Sequence, residues 1–196
     1  MPGTSCSSLW LVPPPDSPIA KLLSSLITNT TPSHFPYLNP PPFAPHITLT
    51  SEIDPSIYGD EPQKWLDQRI SIRPNHQVTI RFEALDTESP FFRKLAIRVK
   101  KYSGLEQTSG LTELAYICRE AGVTKDEHAA RSADITIDKE KMAELKQALR
   151  ELQIGFEDDN MSPDGAMTGW EGGDIWLVPT DKGIEDWQPI ATKRLP

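Results

Sequence analysis

Cysteine is scarce: Cys6 and Cys118 are the only two in 196 residues. They fit neither the paired spacing of a secreted disulfide scaffold nor the clustered spacing of a zinc site. The expectation is a fold held by its apolar core, in a reducing compartment, with no structural metal. Long apolar runs are missing too. Leu9-Trp10-Leu11-Val12 is cut off by Pro13-Pro14-Pro15 and has no basic leader, so it reads as neither a membrane span nor an export signal. A soluble, unexported monomer is expected, and the glycosylation-type triplets Asn29-Thr30-Thr31 and Asn160-Met161-Ser162 then carry no weight. Positive charge is also short. The balance of 20 Lys and Arg against 28 Asp and Glu leaves a net charge of −8, which disfavours a long nucleic-acid partner, because such binding rests on many cationic contacts to phosphates. A small phosphorylated ligand in one donor-rich pocket remains compatible with that charge.

Proline, by contrast, is abundant. The 19 prolines cluster at 13–18 and 32–45, which marks stiff surface connections. A chain of this length suits one domain, or two small lobes, and buries a proper core.

Leu9 to Val12 reads as a first strand. Ser17-Pro18 opens a helix, with serine as N-cap and proline at the first helical position, where its missing N–H costs nothing. Ile19, Leu22, Leu23, Leu26 and Ile27 then form one apolar face. The prolines of residues 29–45 predict a loop, and a proline-rich ligand for a partner domain within 39–45 is an alternative use of it. That loop delivers Pro45-His46-Ile47-Thr48-Leu49. Strand alternation puts Ile47 and Leu49 on one face and His46 and Thr48 on the other. A neutral imidazole exchanges a proton near pH 7 and a threonine hydroxyl donates to a phosphoryl oxygen, so the pair suits acid–base chemistry on a phosphate. The plainer reading of four residues is a half-exposed histidine on an ordinary strand.

Residues 51–55 read as a turn, and residues 60–70 as a short helix burying Trp65 and Leu66. Val78, Ile80 and Phe82 alternate with polar neighbours, as do Leu95, Ile97 and Val99, predicting an antiparallel pair of strands. Leu111, Leu114, Ala115 and Cys118 mark a helix stopping at Gly122, with Cys118 a packing group rather than a nucleophile. Met142, Leu145, Leu149 and Leu152 stripe a helix capped by Asp138 and ending at Gly155. Residues 157–169 read as a mobile acidic loop. Ile175-Trp176-Leu177-Val178-Pro179 nearly copies Leu9-Trp10-Leu11-Val12-Pro13, and two such strands at opposite ends of the chain fit a pseudo-symmetric pair of lobes sharing a cleft. Trp187 to Lys193 is the expected last strand.

From Leu9 to Leu195 this order of elements resembles the fungal 2′,3′-cyclic-nucleotide 3′-phosphodiesterases of the two-histidine (2H) phosphoesterase superfamily. The pieces that carry the resemblance are Pro45-His46-Ile47-Thr48-Leu49, Phe92-Arg93-Lys94-Leu95 and Gly169-Trp170-Glu171-Gly172-Gly173-Asp174-Ile175-Trp176-Leu177-Val178. The resemblance implies a bilobed α+β fold, two antiparallel sheets flanked by helices with a central cleft. It also implies one His-x-Thr/Ser motif from each lobe, and no metal or other cofactor. The implied reaction opens 2′,3′-cyclic nucleotides to 2′-phosphates and hydrolyses ADP-ribose 1″,2″-cyclic phosphate, a by-product of tRNA splicing. The family also suggests a cytoplasmic or Golgi-associated setting.

His46 and Thr48 match the first motif. The second motif is absent as such: within 123–135, where the family's second-lobe strand belongs, stands His128, with Ala130 at the hydroxyl position. Three explanations compete: the second-lobe strand is deleted; His128 reaches the cleft from a loop; or His34 or His76 substitutes. A deleted strand would expose an edge and lower stability. Phe91, Trp10 and Tyr37 are the aromatic residues considered for stacking on a base. The two leading readings are therefore a metal-independent cyclic phosphodiesterase with His46 and His128 in acid–base roles and Thr48 on the phosphate, and a binding module that keeps the cleft but turns nothing over.

Overall fold

The computed structural model describes residues 6–36, 43–74, 77–86, 96–100, 110–123, 139–157 and 162–196. Strand β1 (Ser7–Val12) is buried along its whole length, because it lies between two neighbours and both its faces are covered. Leu9 and Leu11 enter the main core, while Trp10 and Val12 join a small cluster with Val178 on the other side. Its two buried serines are satisfied: Ser7 Oγ lies 2.8 Å from the Tyr58 hydroxyl and Ser8 Oγ 3.2 Å from Thr180 Oγ1.

Helix α1 (Pro18–Ser25) starts as its sequence demands, the Ser17 side chain accepting from the Ala20 N–H. It does not end at the first residues of the expected loop. A wide π-turn (Leu26–Thr30) leads into α2 (Thr31–His34), so the loop expected from residue 29 begins only beyond His34. The physical reason lies at Pro32. A regular turn would drive its ring into the carbonyl four residues back, and the widened turn, in which the Thr31 N–H reaches Leu26 O, relieves that crowding.

Strand β2 (Ile47–Ile53) likewise runs on through the expected turn at 51–53. It does so by register shifts against β1, with Glu52 at φ 61°, and stops where Asp54 caps the 3-10 turn Pro55–Ile57. Helix α3 (Pro62–Arg69) buries Trp65 and Leu66. Strands β3 (Thr79–Asp86) and β4 (Ala96–Val99) pair antiparallel as their alternation predicts. Helices α4 (Gly110–Gly122) and α5 (Lys139–Glu151) bury Leu111, Leu114 and Cys118, and Leu145 and Leu149.

Residues 157–169 are not a mobile loop where the structure describes them. Ser162 Oγ accepts from Phe156 N–H at 2.9 Å, Met167 exchanges backbone bonds with Gln153 and Gly155, and Phe82 N–H donates to Thr168 O. They lead into β5 (Gly169–Glu171), a strand too short to announce itself in sequence, which pairs with β3. Gly169 lies so close to the Ile80 carbonyl that any Cβ would collide with it. Gly173 has the same relation to the Val12 carbonyl. Between these glycines the chain crosses from one sheet to the other, and β6 (Asp174–Pro179) enters beside β1.

The two similar strands thus pair with each other. Trp10 faces Trp176, Leu9 faces Leu177 and Leu11 faces Ile175 in one antiparallel ladder. This corrects their expected assignment to two pseudo-symmetric lobes: their shared composition reflects adjacent places in one sheet, buried on both faces. The last strand, β7 (Ala191–Arg194), is shorter than expected, with Trp187 outside it after a 3-10 turn.

The result is an α+β fold of two antiparallel sheets, ordered β2-β1-β6-β7 and β4-β3-β5. One apolar cluster runs through both, from Leu9, Leu11 and Ile175 to Ile80, Phe82 and Leu85. The Asp138 cap, the Phe92–Leu95 motif, and the interval of the second motif beyond Val123, with His128 and Ala130, lie outside the described residues.

Candidate active site

His46 sits one residue before β2, and Thr48 is the second residue within it. The alternation read from sequence holds: Leu49 is buried, Ile47 packs on the core, and Thr48 is exposed. Among the described residues the Thr48 hydroxyl has no hydrogen-bond partner, which leaves it available to a ligand.

The imidazole of His46 is held on three sides. Its ring stacks on Trp10, centroids 3.7 Å apart and planes 11° from parallel, and Phe43 meets it edge-on at 5.5 Å. Its Nδ1 lies 2.7 Å from Ala44 O. A carbonyl only accepts, so Nδ1 carries the proton and the Nε2 lone pair is left for chemistry. Burial against the aromatic rings pulls the pKa down to about 4, with the Ala44 hydrogen bond acting in the opposite sense. At neutral pH the ring is therefore an uncharged base in a fixed tautomer.

Trp10 is expected from sequence as a candidate for stacking on a base. It is 2% exposed, covered by His46 and by Trp187, whose ring meets it at 5.7 Å and 62°. It supports the histidine and presents no face to a ligand, which corrects that expectation. Phe91, Tyr37 and His76 lie outside the described residues, as does His128. His34 is on α2, where Nδ1 lies 3.4 Å from a Glu144 carboxylate oxygen of α5; it belongs to a contact between helices. Cys118 is fully buried and its thiol is pushed up to about 12 by that burial, so it is a packing group.

A depression of about 250 Å3 opens against Phe43 and Ala44, which both contact the His46 ring, and is lined further by Trp176, Trp187, Thr28 and Gln188. Sequence reading missed Phe43, Trp176 and Trp187 as members of this region. The available signal was the aromatic three places before His46 and the tryptophan repeated in the two similar strands. Among the described residues no group of three or more His, Cys, Asp or Glu side chains is placed to hold a metal ion. No helix among them is long and apolar enough to cross a membrane.

Residues 5–144 match a family model described as cyclic phosphodiesterase-like protein. The chain belongs to that family. By that membership it is a hydrolase of the cyclic phosphodiesterase kind. It is 34% identical to a Neurospora crassa protein named 2′,3′-cyclic-nucleotide 3′-phosphodiesterase, over the full length of both chains. A Phaeosphaeria nodorum protein of the same name is 36% identical, again over the full length of both. A third, from Yarrowia lipolytica, is 34% identical over 58% of this chain and 49% of its own. The first two alignments extend over 224 and 211 residues against a chain of 196, so both relatives carry residues that this chain lacks.

Proposed function

We propose that this protein hydrolyses 2′,3′-cyclic nucleotides to nucleoside 2′-phosphates, and ADP-ribose 1″,2″-cyclic phosphate by the same route, with His46 as the base and Thr48 on the phosphate. The observation that carries the proposal is the His46 tautomer: Nδ1–H engaged by Ala44 O, Nε2 unpartnered among the described residues, and the ring neutral at pH 7. In the reaction Nε2 takes a proton from water as the water oxygen bonds to phosphorus. The bond from phosphorus to the 3′-oxygen breaks on the opposite side, and that oxygen gains a proton from an acid. The Thr48 hydroxyl donates to a non-bridging oxygen as charge builds there. His128 is the candidate acid. No metal ion is required.

The test uses the full chain in EDTA with a 2′,3′-cyclic nucleotide and identifies the product by 31P NMR. The 2′-phosphate is expected, and His46→Ala should lower kcat by roughly 10²–10⁴-fold. A 3′-phosphate product, or full turnover by the variant, overturns the proposal. The second reading, a module that binds cyclic phosphates without turnover, rests on Ala130 in place of a hydroxyl and on the residues that both full-length relatives have in excess. Saturable calorimetric heat with no product would favour it. A His128→Ala variant with unchanged kcat would remove His128 as the acid.

A further inference from the structure

We infer that the depression walled by Phe43, Trp176 and Trp187 holds the nucleobase of the substrate, and that Trp187 is the residue that discriminates a nucleotide from a bare sugar phosphate. The inference rests on the phosphodiesterase reading for its substrate, and on the geometry for the place. The wall is continuous with the catalytic histidine: Phe43 meets the His46 ring edge-on, and Trp187 meets Trp10, the ring on which His46 is stacked. Phe43 and Ala44, which line the depression, also touch the His46 ring, so a ligand held at His46 reaches the depression across them.

The chemistry of the wall selects the base and not a second phosphate. Among the described residues lining it none is charged, so nothing there compensates an anion. Trp176 and Trp187 are both half-exposed, as an aromatic platform must be if a ring is to stack on it, whereas Trp10 is sealed. Trp187 is also fixed in orientation, its indole N–H donating to Lys182 O at 3.1 Å. At the rim, the exposed Gln188 offers a side-chain amide with both donors and an acceptor, suited to the edge of a heterocycle. A volume of about 250 Å3 admits a single nucleoside and no stacked oligonucleotide.

The experiment compares adenosine 2′,3′-cyclic phosphate with ribose 2,3-cyclic phosphate, which has the same reacting ring and no base. Wild-type protein should favour the nucleotide, and Trp187→Leu should raise its KM by roughly ten-fold or more relative to the ribose compound, with Trp187→Phe restoring most of the preference. Equal changes in KM for both substrates, or no change for either, overturn the inference. Adenosine alone is titrated in parallel against tryptophan fluorescence, with a saturable quench expected in the wild type and lost in Trp187→Leu. If neither cyclic phosphate is turned over, the phosphodiesterase reading falls, and the adenosine titration still decides the groove: no saturable quench overturns it. Thermal melts of both variants separate lost recognition from lost folding.

Discussion

The four-stranded sheet buries its inner strand β1 on both faces and sets His46 and Thr48 at its edge strand. The three-stranded sheet ends on β5, three residues long, and leaves the Trp170 Nε1–H buried with no partner among the described residues. Such an orphaned donor costs about 1–3 kcal/mol. Both sheets share one apolar cluster, yet only the first presents, among the described residues, a histidine with a neighbouring ligand-ready hydroxyl. Among the described residues, the first sheet holds a fixed histidine beside an exposed hydroxyl, while the second contributes Ile80, Phe82 and Leu85 to the core beneath it.

Truncating the second sheet should separate stability from chemistry. Phe82 is 1% exposed and meets Trp170 edge-on at 5.9 Å, so Phe82→Ala should lower the unfolding free energy by about 3–5 kcal/mol in denaturant titrations. The folded fraction should keep its KM, and a rise in KM at full folding would break the comparison. Thr48→Val tests the first sheet in the opposite sense. It should lower kcat by roughly 10²–10³-fold while the melting temperature stays within the small range of a surface substitution. A large drop in melting temperature would show the residue to be structural.

Acid sharpens the same contrast. His46 has a pKa near 6.5 when unfolded and about 4 when folded, so the unfolded chain binds a proton more readily across that interval. The His46 contribution to stability is full above pH 6.5 and is lost progressively as pH falls to about 4. Urea titrations across that range should show the decline, and His46→Ala should flatten it. The kcat/KM profile of the free enzyme should fall on its acid side near pH 4, and the kcat profile at higher pH, because bound phosphate favours the imidazolium. The smallest effect belongs to the helix beside the groove: Ser17→Ala removes the α1 cap and should cost about 1 kcal/mol by thermal melts.

Much of this was legible in the chain because it is written locally. The Ser17-Pro18 start, the alternation of Val78, Ile80 and Phe82, and the apolar face holding Cys118 each need only a few neighbouring residues to be read. The burial of Leu49 and the exposure of Thr48 were legible from strand alternation for the same reason. What failed was decided by partners distant in sequence. The repeat shared by 9–13 and 175–179 reports burial on two faces, and burial does not say which strand lies alongside. Strand β5 exists because β3 offers it a ladder, and Trp10 is closed to ligands because Trp187, far along the chain, covers it. Pro32 was read as a breaker, but a π-turn absorbs its ring without ending the helical path.

The ladder between β1 and β6 also sets an order of events during synthesis. The strand that supports His46 through Trp10 leaves the ribosome well over a hundred residues ahead of its partner at 174–179. At about 5–20 residues per second, β1 waits roughly ten seconds or more with one edge unpaired. The Trp187 cover over Trp10 comes later still. A nascent chain therefore carries the complete Pro-His-x-Thr-Leu segment long before it has a sheet to hold it, and a chain released early would expose the apolar edge of β1 to other chains.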